Sequence, residues 1–447
     1  MITREPLAET ARSHAVCLPD LNPHVPMKQK LPTRPKTPRA FHVMVKPAGP
    51  MCNLHCEYCF YLEKQRMFPK KNGWRMSDEV LEAYIRQTFA SQKTPEVSFA
   101  WQGGEPTLMG IDFFRKVLEL QQRHAKGKRV LNSLQTNGTL LDDEWAEFLA
   151  KHQFLVGISI DGPAALHDCY RKDRHQGPTH ERVMRGLAAL IKHGVEFNTL
   201  TVVNRRNSRE PLRVYRFLKE IGSRYMQFIP LVERAGAGPN CGFENLLAPP
   251  PDHGGGPDDA MVTPWSVRPL DYGAFLCAIF DEWVRSDVGR YYVQIFDVML
   301  GLWAGHGSSL CVFAEKCGNA VALEHNGDIF SCDHFVYPKY RLGNLLETPL
   351  RDMVESPVQR RFGNAKADAL PACCKNCEML HLCHGECPKH RFITSPDGEP
   401  GLNYLCAGYR NFFQHIDPYM KIMTNLLKNH RPPAEIMSML VARTTRI

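Results

Sequence analysis

Long hydrophobic runs are missing from this 447-residue sequence. No stretch stays apolar for the ~20 residues that a helix needs to cross a bilayer. Residues 1 to 20 mix charges with short apolar pieces and lack the apolar centre of a secretory leader. Charge of one sign is missing too: 55 Lys and Arg against 47 Asp and Glu leave a formal net charge of +8, spread along the chain. That balance suits a solvated surface or small anionic cofactors and does not by itself suggest nucleic acid. The expectation is a cytoplasmic globular protein with no membrane or nucleic-acid partner. Its 43% hydrophobic residues suffice for a sizeable core. Cysteine, by contrast, is plentiful. Sixteen are present, many at short spacings, and in a reducing compartment such groups argue for metal sites over disulfides.

The strand-like run Phe41–Lys46 leads into Met51-Cys52-Asn53-Leu54-His55-Cys56-Glu57-Tyr58-Cys59-Phe60-Tyr61. Cys52, Cys56 and Cys59 form a C-x3-C-x2-C run. Three thiolates can hold three irons of a [4Fe–4S] cluster and leave the fourth iron open to another ligand. Taken alone, the stretch also reads as an incomplete zinc knuckle.

Strand-like runs recur at Glu96–Trp101, Val130–Gln135, Phe154–Ile160, Phe197–Val203 and Tyr225–Ile229. Between them lie the amphipathic stretches Asp78–Ser91, Ile111–His124, Asp142–His152, His180–His193 and Arg209–Ile221. Ser77 and Thr179 stand at N-cap positions with acidic residues following. This alternation predicts parallel βαβ units, arranged as a partial α/β barrel or a doubly wound open sheet. Polar, Gly-rich segments follow four successive strands: the cysteine loop, Gln102-Gly103-Gly104-Glu105-Pro106, Gln135-Thr136-Asn137-Gly138 and Asp161-Gly162-Pro163. Each alone suits an ordinary turn. Together they predict a shared mouth at the strand ends, where barrel active sites are built. Residues 1–40 read as a flexible extension, and the Gly/Pro-rich stretch 234–259 as a surface insertion.

Cys311, Cys317, Cys332, Cys374, Cys377, Cys383, Cys387 and Cys406 make a second group. Eight thiolates serve two four-cysteine sites without remainder. On spacing alone zinc and iron–sulfur are equally good readings, and the first motif tips the balance to iron–sulfur. Cys373 sits beside Cys374, but the C-x2-C spacing to Cys377 favours Cys374. Cys17, Cys169, Cys241 and Cys277 have no assigned role, and His55 and His325 are not needed to complete a cluster.

C-x3-C-x-aromatic-C, with Tyr58 as the aromatic, resembles the signature of radical S-adenosylmethionine enzymes. The later pattern, Cys317, Gly327 and Cys332, then Cys374, Cys377, Cys383 and Cys387, then Cys406, resembles the SPASM extension of such enzymes. The wording from about Arg39 to Tyr419 is most similar to anaerobic sulfatase-maturating enzymes. It includes Phe60 to Lys64, Trp101 to Leu108, Ser133 to Thr139, Ser159 to Pro163, Arg171 to Asp173, Arg341 to Asn344 and Leu402 to Tyr404. The resemblance implies an α/β fold: a partial (β/α)6 barrel over 41–270, a helical linker 271–310, a SPASM domain 311–408, and a C-terminal helix and tail 409–447.

It further implies S-adenosylmethionine and three [4Fe–4S] clusters. Cys52, Cys56 and Cys59 would hold the first, Cys311, Cys317, Cys332 and Cys387 the second, and Cys374, Cys377, Cys383 and Cys406 the third. Tyr58, Gln102, Gly103, Gly104, Glu105, Ser159 and Arg171 would contact the cofactor, with Glu105 complementing its ammonium and Arg171 near its carboxylate. Cleavage of the cofactor would yield a 5′-deoxyadenosyl radical. The implied activity is oxidation of a cysteine or serine in a C/S-x-P/A-x-R segment of a sulfatase to Cα-formylglycine. Asp333, directly after Cys332, matches the family's proposed catalytic base, and a low-potential donor such as flavodoxin or ferredoxin would supply electrons. Two other readings are a SPASM enzyme that modifies another peptide, for example by thioether crosslinking, and a non-catalytic iron–sulfur or zinc scaffold. A scaffold has no use for a three-cysteine site beside a GGEP segment.

Overall fold

The computed structural model describes residues 40–68, 72–236, 247–251 and 261–444. Almost all of the N-terminal extension, the greater part of the 234–259 insertion, Cys17 and Cys241 therefore lie outside the described residues.

Six strands follow one another as parallel neighbours: β1 (His42–Lys46), β2 (Glu96–Trp101), β3 (Arg129–Thr136), β4 (Leu155–Ser159), β5 (Phe197–Val203) and β6 (Tyr225–Pro230). Their spatial order is their chain order. A doubly wound sheet needs a point where that order reverses, and none occurs here, so the partial barrel is the correct alternative. Two flanks extend the sheet to ten strands. β7 (Tyr292–Val293) runs parallel beside β6, and β8 (Ala320–Glu324) runs parallel on the far side of β1. β9 (Asp328–Phe330) and β10 (Arg341–Asn344) continue antiparallel. A separate hairpin pairs β11 (Arg391–Thr394) with β12 (Pro400–Asn403). The cysteine-rich segment thus begins as an edge of the barrel sheet, in register with β1 from His42↔Ala320 to Lys46↔Glu324.

Helices Asp78–Ser91, Ile111–His124, Asp143–Lys151, His180–Lys192 and Pro211–Glu220 make the crossovers. Ser77 caps as expected, its hydroxyl accepting the Val80 N–H at 3.3 Å. Thr179 does not. The helix it precedes starts against the loop carrying Arg171, and the Thr179 hydroxyl donates to the Arg171 carbonyl at 2.6 Å. Asp168 takes over the cap by accepting the N–H groups of Thr179 and His180 at 2.8 and 2.9 Å.

The stretch expected as a linker is built into the body. Its helix Pro269–Ser286 packs on the helix Cys406–Lys428, and a Cβ at Gly408 would stand 1.9 Å from the Pro269 carbonyl oxygen. Only glycine allows that approach. Phe280 and Phe412 of these helices, with Phe296 of the helix Gln294–Trp303, join the same buried core as the barrel strands. Among the described residues no helix is long and apolar enough to cross a membrane.

Candidate active site

The cysteine loop leaves β1 and is pinned on both sides by main-chain bonds. The N–H groups of His55 and Glu57 donate to the carbonyls of Lys172 and Tyr170 at 2.8 and 3.2 Å, while Arg174 donates twice to the Cys52 carbonyl. Burial pushes all three thiols up, Cys52 to about 12 and Cys59 to about 11, with Cys56 above them. Cys52 and Cys59 pack against the small buried cluster that holds Cys56, Leu54 and Tyr58, and each pushes the Cys56 thiol higher. Left to themselves these groups stay protonated. They become three thiolates only against concentrated positive charge, which iron coordination provides. The donor set therefore fits a cluster.

The GGEP segment folds directly onto this loop. The N–H groups of Gly104 and Glu105 donate to the carbonyls of Gly49 and Met51 at 3.0 and 2.8 Å. A Cβ at Gly104 would come within 2.0 Å of the Met51 oxygen. The glycine is thus needed first for the approach of two loops of this chain. Glu105 is fully buried. Its Oε1 accepts from the Thr107 N–H, the Thr107 hydroxyl and the Thr136 hydroxyl, and its Oε2 accepts the Asn137 N–H at 2.7 Å. Burial raises its carboxyl and these donors pull it back. The carboxylate expected to complement an ammonium is largely occupied in tying the β2 and β3 loops together. Asn137, so held, places its amide 3.7 Å from Cys52 Sγ and 2.9 Å from Asn53 Oδ1.

Tyr58 is buried and its hydroxyl donates to Asp161 Oδ2 at 2.6 Å. The same oxygen pairs with Arg171 Nε at 3.0 Å, and the guanidinium lies 5.5 Å from the Tyr58 ring. Asp161 itself is 0% exposed and was legible only as part of a turn. Ser159 accepts from the Gln135 amide at 3.2 Å, while the Gln102 N–H donates to the Val45 carbonyl at 2.9 Å. All of these lie at or beyond the carboxyl ends of β1 to β4, as the shared mouth requires.

Asp333 reaches this mouth from the cysteine-rich segment. It begins a short 3-10 turn after β9 and forms an ion pair with Lys46, the last residue of β1. Burial acts to raise its carboxyl, but Lys46, His334 and Lys389 outweigh burial and hold it below the ordinary carboxylate range. Lys46 Nζ lies 4.5 Å from the Tyr61 ring centroid, and the Tyr61 hydroxyl donates to buried Glu324. Lys46, Tyr61 and Glu324 carried no role in the sequence reading. The register Lys46↔Glu324 that joins them is a long-range strand pairing with no local signature.

Burial raises Cys317, Cys332, Cys387, Cys374 and Cys406, and each is raised further by others of its expected set. Cys311, Cys317, Cys332 and Cys387 raise one another through mutual repulsion on top of burial. Cys374 is raised to about 12 by burial and then by Cys373, Cys406 and Cys383, and Cys377 acts on Cys406. Among the described residues no three His, Cys, Asp or Glu side chains close around a point as ligands of a single ion do. His55 is exposed, and His325 packs its ring 5.6 Å from that of Phe68.

Two family models match in this order: the Radical SAM superfamily over residues 47–218 and an iron–sulfur cluster-binding domain, SPASM, over 311–378. The serine-type anaerobic sulfatase-maturating enzyme of Bacteroides thetaiotaomicron is 47% identical over 90% of this chain and 95% of its own length. The chain belongs to the anaerobic sulfatase-maturating enzymes. The cysteine-type enzyme of Clostridium perfringens is 34% identical over 86% of this chain and 99% of its own length. A solved structure described as native anSMEcpe with bound AdoMet and Cp18Cys peptide has a TM-score of 0.73 at 34% identity, covering 87% of this chain and 99% of that one. The resemblance read from the motifs is therefore correct, as is the radical SAM barrel with a SPASM domain.

In this sulfatase-maturating enzyme a narrow crevice lies beside His334, the neighbour of Asp333. Phe60 and Leu247 line it from the barrel side, and His334, Tyr337 and Lys389 from the SPASM side, with Glu233 paired to Lys389. Leu247 belongs to the stretch expected as a surface insertion. Its N–H donates to Glu63 Oε1 at 2.9 Å, so this part of the insertion is a wall of the crevice.

Proposed function

We propose that this chain oxidises one serine or cysteine in a C/S-x-P/A-x-R segment of a sulfatase to Cα-formylglycine. In this reading Cys52, Cys56 and Cys59 hold the cluster that binds S-adenosylmethionine. Cys311, Cys317, Cys332 and Cys387 hold a second cluster, and Cys374, Cys377, Cys383 and Cys406 a third. When bound, these groups supply a 5′-deoxyadenosyl radical that takes a hydrogen from the substrate β-carbon, and an acceptor for the one remaining electron. Forming the carbonyl or thiocarbonyl also requires loss of the proton on oxygen or sulfur, and a thiocarbonyl from cysteine then takes up water and releases hydrogen sulfide to give the aldehyde. Asp333 takes that proton as general base. Tyr58, Gln102, Gly103, Gly104, Glu105, Ser159 and Arg171 line the space for the cofactor, and the surface around Phe60 and His334 receives the peptide. A low-potential flavodoxin or ferredoxin supplies electrons, and the free cysteines suit the cytoplasm.

The observation that carries this reading is the ion pair that sets the Asp333 carboxylate against Lys46 at the root of the three-cysteine loop. A peptide-crosslinking enzyme needs the same cysteines, but the match to maturating enzymes over nine-tenths of the chain favours formylglycine. Serine is the first residue to offer, since the relative at 47% identity is serine-type and the one at 34% cysteine-type. Anaerobic reaction of reconstituted protein with S-x-P-x-R and C-x-P-x-R peptides, read by mass spectrometry, tests the proposal. Loss of two hydrogens from serine, or the matching sulfur-to-aldehyde change from cysteine, supports it. Cofactor cleavage with both peptides unchanged would overturn it in favour of another peptide substrate.

A further inference from the structure

Lys46 is an unusual residue with which to end a barrel strand. It is 3% exposed, and a buried ammonium is costly unless a carboxylate compensates it. Its stem runs beneath Gly103, where a Cβ would stand 3.0 Å from Lys46 Cδ. The Tyr61 ring lies against its ammonium, and Tyr61 is itself fixed by the hydroxyl it donates to Glu324. Three elements therefore hold Lys46: the β2 loop, the cysteine loop and β8. Held in this way, it ion-pairs with Asp333, which comes from the other half of the molecule. Glu324 is its partner in the strand ladder, but the side-chain ion pair goes to Asp333.

We infer that Lys46 is a positioning residue: it fixes the Asp333 carboxylate relative to the cysteine loop, so that the proton is removed from the oxygen or sulfur of the same side chain whose β-carbon loses its hydrogen. The inference rests on the proposed function, in which Asp333 is the base. Asp333 follows Cys332 in a short turn, and that turn alone does not set the carboxylate against the barrel mouth. The Lys46 ion pair does. A displacement of about 1 Å in a reacting group costs on the order of a hundredfold in rate.

The test is a double-mutant cycle on reconstituted enzyme with the S-x-P-x-R or C-x-P-x-R peptide that it accepts. Lys46→Met should lower kcat for formylglycine about ten- to a hundredfold, with peptide KM little changed and iron and sulfide content at the parent level. Lys46→Arg should stay within about threefold of the parent, because it keeps the charge. The pair Lys46→Met/Asp333→Asn should be no slower than Asp333→Asn alone, since Lys46 acts through Asp333. Losses that multiply in the double variant, an Arg variant as slow as the Met variant, or loss of iron in Lys46→Met would each overturn the inference. A fully active Asp333→Asn would overturn the base assignment itself, and that single variant separates the two failures.

Discussion

The three-cysteine loop and the cysteine-rich C-terminal half use the same chemistry of buried thiols, but assemble it in opposite ways. Cys52, Cys56 and Cys59 lie within one loop, and hydrogen bonds to the 170–174 segment and the GGEP segment hold that loop. Each later set, in the proposed reading, draws on residues far apart in the chain: Cys311 with Cys387, and Cys374 with Cys406. The first site presents three thiols and can leave a position open for a cofactor. In the proposed reading the later sites present four thiols each and close around their clusters. A site that must stay open is built rigidly from one short segment, whereas a closed one can draw its fourth ligand from a distant element. Asp333 belongs by sequence to the second region and by contact to the first.

The comparison breaks most sharply at Cys56. Cys56→Ala should abolish 5′-deoxyadenosine formation in an anaerobic chromatographic assay; cleavage at the parent rate would remove the loop from the chemistry. Gly104→Ala should come next. Its Cβ would have to displace the Met51 carbonyl, 2.0 Å away, and so separate the GGEP and cysteine loops. Cofactor cleavage should fall at least tenfold while the auxiliary sites keep their iron, and an unchanged rate would show that the two loops tolerate separation. In the second region Cys374→Ala should lower iron by about four per chain, the content of one cluster. Cys373→Ala should leave iron unchanged, because the C-x2-C spacing to Cys377 begins at Cys374. The reverse pattern would exchange their roles. Ser77→Ala, remote from both regions, should cost only ~1 kcal/mol in urea unfolding, as loss of an N-cap does. A much larger loss would mean that Ser77 does more than cap.

Much of this was legible in the sequence, because strand and helix periodicity and contiguous motifs are local properties. Helices Asp78–Ser91 and Ile111–His124 have the bounds that their patterns predict. The pairing of β8 with β1 was not legible, since nothing near Ala320–Glu324 names its partner. Lys46 and Glu324 therefore read as ordinary strand ends. Glu105 was legible as a motif residue, but its four internal donors come from three separate positions that only the fold unites. Thr179 showed a cap signal that tertiary contact with Arg171 overrode.

The account rests on a division of labour, with radical generation at the cysteine loop and proton removal at Asp333. Asp333→Asn with an accepted peptide tests it most directly when 5′-deoxyadenosine and formylglycine are measured in the same anaerobic reaction. Formylglycine should fall by about two to four decades, the scale of losing a general base, while cofactor cleavage continues near the parent rate. Formylglycine appearing in step with 5′-deoxyadenosine, as in the parent, would contradict the account.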